Sequence, residues 1–201
     1  NNKIKDGLKV NLEFSKSLKD KQKPIVEKYI EAANTIGGGV ISVPCGYGKT
    51  VIALYIACLL KVKTLVVVHK EFLLNQWKDR IQEFIPKAKI GRIQSNKIFS
   101  KDFDIVIGML QSISMKTYDP EVFSDFGLVI YDECHHLGAE VFSKALLKTN
   151  FKYLLGLSAT PKRSDGLSKV FQWYLGDIVY SIKKREEEDV NVKIVNFVDD
   201  N

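Results

Sequence analysis

The sequence predicts an α/β fold, a doubly wound and mainly parallel sheet with helices on both faces. Two observations carry this: short β-branched runs alternate with longer stretches of helical periodicity, and several runs are continuously apolar, as strands buried on both sides of a parallel sheet are. The first run, Val40 to Val43, leads into Lys49 to Leu60, an apolar stretch of helical length. Thr64 to Val68 reads as the next strand and Glu71 to Phe84 as the next helix, with Phe72, Leu73, Trp77, Ile81, Phe84 and Ile85 at helical spacing. Phe103 to Ile107, Leu128 to Tyr131 and Tyr153 to Leu157 complete the expected strands, and Gly138 to Lys148 and Gly166 to Trp173 the expected helices. Ligands of such sheets bind outside the carboxyl ends of the strands, so chemistry is expected in the residues that follow each run.

The 201 residues, 45% hydrophobic and 27% charged, fit one domain with a sizeable core. The longest apolar run, Val51 to Leu60, is about half of the ~20 residues that cross a bilayer, so no membrane partner is expected. Asn1 to Leu12 is polar and lysine-rich and lacks the apolar centre of a signal peptide. Cys45, Cys58 and Cys134 form no CxxC pair, which argues against a disulfide framework and a four-ligand zinc site. An intracellular setting, cytoplasmic or nuclear and not secreted, is the expectation. Oligomeric state is not indicated.

Net charge is +6, and its distribution says more than its sum. Residues 61–101 carry 10 basic and 3 acidic side chains (+7), whereas 102–142 carry 1 and 8 (−7). The basic block reads as a phosphate-contacting surface and the acidic block as a source of metal-holding carboxylates. Solvated faces of an ordinary domain would give the same counts.

Val43-Pro44-Cys45-Gly46-Tyr47-Gly48-Lys49-Thr50 lies between the first strand and its helix, the context a phosphate-binding P-loop requires. Gly46 and Gly48 allow the tight turn that aims successive backbone N–H groups at an anion, and the helix N-terminus adds partial positive charge. Lys49 is then the phosphate-neutralising cation and the Thr50 hydroxyl a magnesium ligand. The strict GxxxxGK[ST] pattern fails at its first glycine, where Val43 stands, leaving GxGKT. A second signal follows 83 residues after Lys49, where Asp132 and Glu133 leave the apolar run Leu128 to Tyr131. Asp132 fits a metal-holding carboxylate and Glu133 a general base that polarises the attacking water. His135 and His136 lack the spaced partners of a zinc site.

These residues resemble the superfamily 2 helicases: GYGKT resembles motif I, DECH motif II, and Ser158-Ala159-Thr160 followed by Pro161 motif III. PCGYGKT, DECHHLGAE and GLSATPKRSDGL are most similar to the XPB-like and UvsW-like helicases and to helicases of large DNA viruses. The resemblance covers roughly residues 18–180 and implies the first of two RecA-like P-loop NTPase lobes, using ATP and Mg2+ to move on, or unwind, nucleic acid, DNA before RNA. It implies that Gln22 reads the adenine edge, that Pro44 to Thr50 bind nucleotide, and that His135, Ser158, Ala159 and Thr160 couple the γ-phosphate to strand movement. It also places His69, Lys70 and Gln76 (motif Ia) and Gln111 and Ser112 (motif Ib) on the nucleic-acid backbone, whereas Trp77, on the apolar stripe, reads as core. Arg163 and Asp165 stand in a family-like TPKRSDG turn without an assigned mechanism.

The implied organisation is an N-terminal extension (1–17), the lobe (18–182), and a charged turn and strand (183–201, with Val190 to Phe197 as the strand) leading toward a second lobe not present in this chain. No segment after Thr160 resembles motifs IV to VI, so the arginine fingers are expected from that lobe and this one alone is expected to be weakly active or inactive. Two alternatives share the motifs: a duplex translocase of a restriction or remodelling enzyme, and a nucleotide-gated binding module, against which the intact Glu133 argues.

Overall fold

The computed structural model describes residues 6–95, 97–133, 139–149, 151–159 and 175–182. The expected helix over 166–173, the strand over 190–197, and Cys134, His135, His136, Thr160, Arg163 and Asp165 lie outside them. In chain order the elements are α1 (Lys23–Ile36), β1 (Gly38–Ser42), α2 (Lys49–Leu60), β2 (Thr64–Val68), α3 (Glu71–Phe84), β3 (Ile90–Gln94), β4 (Lys97–Phe99), β5 (Ile105–Met109), α4 (Leu110–Met115), β6 (Leu128–Tyr131), α5 (Ala139–Lys148), β7 (Tyr153–Ser158) and β8 (Ile178–Ser181). The eight strands run β4-β3-β5-β2-β6-β7-β1-β8, with all neighbours parallel except the antiparallel β3 and β4.

Alternation along the strands divides the core between two faces, because successive side chains of a strand point to opposite sides. Ile41, Val66, Val68, Ile105, Ile107, Ile130, Leu155 and Leu157 pack with Tyr29 of α1, Leu54 of α2 and Trp77 of α3. Val40, Leu65, Val67, Val106, Val129 and Tyr131 pack on the other face with Ile113 of α4 and with Ala145 and Leu146 of α5. Helices therefore cover both faces, and β1, β2, β5 and β6 are buried along their whole length. No helix among the described residues is long and apolar enough to cross a membrane.

Several expectations shift. The first strand begins at Gly38 and ends at Ser42, because its two leading glycines carry no β-branched signal yet pair in register with Leu154 and Leu155. The strand expected at 103–107 runs Ile105–Met109 instead. Phe72, counted on the apolar stripe of α3, is 62% exposed, since only Leu73, Leu74, Trp77, Ile81 and Phe84 of that helix face the core. The segment over 1–17, set apart as an extension, is in its described part packed on the lobe. Leu12 is buried, Leu8 N–H donates to the Asp125 carbonyl, and Lys9 bridges Val62.

Candidate functional site

The sheet order decides which loops meet. β1 lies beside β7 and β7 beside β6, with Ser42 opposite Ser158 and Tyr131 opposite Gly156. The loop after β1, the carboxylates after β6 and the Ser158-Ala159 exit of β7 therefore share one carboxyl edge. Chain order changes direction there: β1 sends α2 across to β2, while β6 and β7 fill the gap between them, so this is the topological switch point at which such sheets hold ligands.

The P-loop is held from below. Gln22, 4% exposed, accepts from Lys19 N–H at 3.0 Å through Oε1 and donates through Nε2 to the Tyr47 carbonyl at 3.0 Å. Its amide thus ties the turn ahead of α1 to the loop, a contact that glutamine's implied adenine role did not foretell. Gly48 caps α2 in the left-handed region (φ 83), and a Cβ there would stand 2.5 Å from Gln22 Nε2. Gly46 also has positive φ (80), but its Cβ position meets nothing within 4 Å. Backbone angle fixes both glycines, and at Gly48 a side chain would in addition push the Gln22 amide off the Tyr47 carbonyl. Pro44, Tyr47, Gly48, Lys49 and Thr50 are half-buried, and Cys45 and Gly46 are exposed.

Across from the loop, Lys49 Nζ lies 3.2 Å from Glu133 Oε1, with side chains only 10% and 22% exposed. Glu133 adopts φ 49, a left-handed conformation that costs a non-glycine residue about 1–2 kcal/mol and commonly marks functional sites. Asp132, 7% exposed, turns the other way: its Oδ2 accepts from Trp77 Nε1 at 2.7 Å, and its own N–H donates to the Val67 carbonyl at 3.0 Å. Burial pushes the Asp132 carboxyl above its ordinary range, while the Trp77 donor opposes the shift; Glu133 adds to it and Lys49 reduces it. The two adjacent carboxylates thus face different partners. Beneath them, Tyr131 Oη and Thr149 Oγ1 are hydrogen-bonded at 2.6 Å, anchoring the strand exit to the end of α5.

The donor set fits magnesium. Thr50 and Asp132 offer hard oxygen ligands, and magnesium is commonly held by one or two carboxylates together with substrate phosphates. No cluster of three or more His, Cys, Asp or Glu side chains able to hold a metal alone occurs among the described residues.

The segments implied to touch nucleic acid stand on the same edge, further along. Val68 of β2 is in register with Met109 of β5, so Lys70 and Gln111, each two residues beyond, leave neighbouring strands together. Lys70, Gln76 and Gln111 are exposed, whereas His69 and Ser112 are half-buried. Ser112 Oγ accepts from Ser95 N–H at 2.9 Å, and Lys148 Nζ donates to the carbonyls of Ile113, Ser114 and Lys116 at 2.7, 3.1 and 2.8 Å, fastening the end of α4 to α5. The basic block is less available than its count implied. Lys63 is buried beside Asp125 near the amino edge, and Arg80, Lys87 and Arg92 pair with Glu83, Glu13 and Glu71.

Comparison with known proteins gives the family of the chain. The family model described as "Type III restriction enzyme, res subunit" matches residues 15–163. A protein of Acanthamoeba polyphaga mimivirus, named for ATP-dependent RNA helicase activity, is 41% identical over 183 residues, covering 91% of this chain and 35% of the relative. The DNA 3'-5' translocase XPB2 of Sulfurisphaera tokodaii is 35% identical over 182 residues, covering 85% of this chain and 36% of the relative. The chain thus spans about a third of the length of these two relatives. Among solved structures, the UvsW helicase of bacteriophage T4 superposes with a TM-score of 0.68 at 21% identity, covering 86% of this chain and 64% of that one. The SWI2/SNF2 ATPase core of Sulfolobus solfataricus in complex with double-stranded DNA superposes at 0.69 with 18% identity, covering 86% and 38%. With the family model spanning residues 15–163, the chain belongs to the family of the type III restriction enzyme res subunit, and with its helicase and translocase relatives to the superfamily 2 helicases that its motifs resemble.

Proposed function

We propose that this lobe binds ATP with magnesium at the carboxyl edge of β1, β6 and β7 and, in a motor completed by a second RecA-like lobe, couples ATP hydrolysis to movement along DNA. The observation that carries the reading is the Lys49–Glu133 contact at 3.2 Å across the switch point, with Asp132 beside it. Backbone N–H groups of the loop and the α2 N-terminus receive the phosphates. Lys49 then exchanges Glu133 for phosphate oxygens, which releases the Glu133 carboxylate to accept the proton of the attacking water. Thr50 and Asp132 would hold the magnesium ion, which would supply charge neutralisation at the phosphates. The relatives' names, and the fold shared with a core solved on double-stranded DNA, support nucleic acid as the track. Translocation on duplex DNA without strand separation is a second reading, favoured by the restriction-enzyme family model.

The track test follows from the placement of Lys70 and Gln111. Backbone phosphates dominate such contacts, so affinity should be nearly independent of sequence and should fall with salt. Lys70→Ala combined with Gln111→Ala should weaken binding of two unrelated oligonucleotides equally and lower the salt slope by about 0.7–0.9, one phosphate contact's worth. ATP affinity should stay within about twofold, since neither side chain is at the phosphate loop. Fluorescence anisotropy against salt measures this; salt-insensitive binding, or loss confined to one oligonucleotide, would place the track elsewhere.

A further inference from the structure

Trp77 appears in the sequence as one more apolar residue of the α3 stripe, and its 1% exposure fits that role. Its indole nitrogen does something a core residue need not do. Nε1–H donates at 2.7 Å to Asp132 Oδ2, joining residues 55 positions apart on α3 and at the exit of β6. Asp132 is itself 7% exposed, so this oxygen has little water to turn to if the donor is lost, and a buried carboxylate oxygen left without its donor is costly. The helix that carries Trp77 inward carries Lys70 at its cap and Gln76 outward, both exposed.

We infer that Trp77 is a positioning residue: its Nε1–H holds the Asp132 carboxylate in the orientation in which it takes magnesium, and so ties that carboxylate to α3. The inference rests on the proposed role of Asp132. Groups that orient a metal-holding side chain commonly contribute about 10–100-fold in metal affinity when removed, without touching the metal. Phenylalanine at position 77 retains an aromatic ring in the core but has no N–H to donate.

The test is binding of a fluorescent ATP analogue to the 201-residue chain as magnesium is titrated, for wild type, Trp77→Phe, Asp132→Asn and the double variant. Trp77→Phe should raise the magnesium concentration at half-saturation roughly tenfold and leave the affinity measured in excess EDTA unchanged. The double variant should need no more magnesium than Asp132→Asn alone, because a residue that acts through Asp132 has nothing left to act through. A merely structural tryptophan would lower thermal stability without moving the magnesium midpoint, and that result in folded Trp77→Phe overturns the inference. If Asp132→Asn also leaves the midpoint unmoved, the metal role of Asp132 falls first, and the inference with it. Wild-type protein gives an independent check should Trp77→Phe not fold. The chain has two tryptophans, Trp77 and Trp173, so a 15N-indole spectrum has two signals, assigned with Trp173→Phe. The Trp77 signal should move when magnesium and ATP are added together and should be displaced in Asp132→Asn; a Trp77 signal indifferent to both overturns the inference.

Discussion

Glu133→Gln should leave ATP bound and stop its hydrolysis, with turnover falling about 10²–10⁴-fold, the usual contribution of a general base. The amide is nearly isosteric with the carboxylate and retains a carbonyl oxygen for Lys49, which stands 3.2 Å from Glu133 Oε1. It cannot take a proton from water. Asp132 keeps its Trp77 donor and its bond to Val67, so the proposed metal position is not disturbed. The substitution also removes a negative charge beside Lys49, which should favour the nucleotide phosphates slightly. The measurement is a paired one, equilibrium ATP affinity and phosphate release by the motor that contains this lobe. Loss of affinity as severe as the loss of turnover would show that Glu133 belongs to binding and not to proton transfer.

Lys49→Ala should fail earlier, at the phosphates. Removing the ammonium leaves the backbone cradle and the α2 terminus, but no mobile cation to follow charge onto the transferring group. Loss of one such preorganised electrostatic partner commonly costs about 10²–10³ in turnover, and here nucleotide affinity should fall as well. Glu133 loses the Lys49 contact at the same time, so the carboxylates Asp132 and Glu133 stand beside the loop without that ammonium between them and the phosphates. Folding should survive: Lys49 is the first residue of α2, and the helix is fixed by Ile52, Ala53, Leu54, Ile56 and Ala57, all fully buried. Steady-state ATP hydrolysis and the far-ultraviolet spectrum check both halves, and wild-type turnover in a folded variant would sink the assignment of the loop.

The parts of this site that could be read from sequence are those with a local signature. A strand of nearly unbroken apolar residues announces itself, so β2 and β6 are legible to the residue, and GxGKT at a strand-to-helix junction needs only a few neighbouring positions to be seen. Elements with weak local contrast escaped. The β3–β4 hairpin is short and half-exposed, with Arg92, Gln94 and Lys97 diluting its pattern. Helix α1 carries Ile25, Val26, Tyr29 and Ala33 at helical spacing, a signature that is local and legible although the expected elements leave it out. Contacts between distant positions were not legible at all: Trp77 with Asp132, Gln22 with the Tyr47 carbonyl, and Lys148 with the end of α4 each require the fold before they exist. Charge counting erred for a related reason, since it cannot see that Arg92 is already paired with Glu71 or that Lys63 is buried at the other end of its strand.

Whether the carboxyl edge of β1, β6 and β7 is a magnesium-ATP site is decided by calorimetric titration of the 201-residue chain with ATP, once with magnesium and once with EDTA. Saturable binding at one site is expected, weakened by EDTA and weakened further in Lys49→Ala. Binding that is indifferent to magnesium and equal in wild type and Lys49→Ala would contradict it, as would the absence of any binding at millimolar ATP.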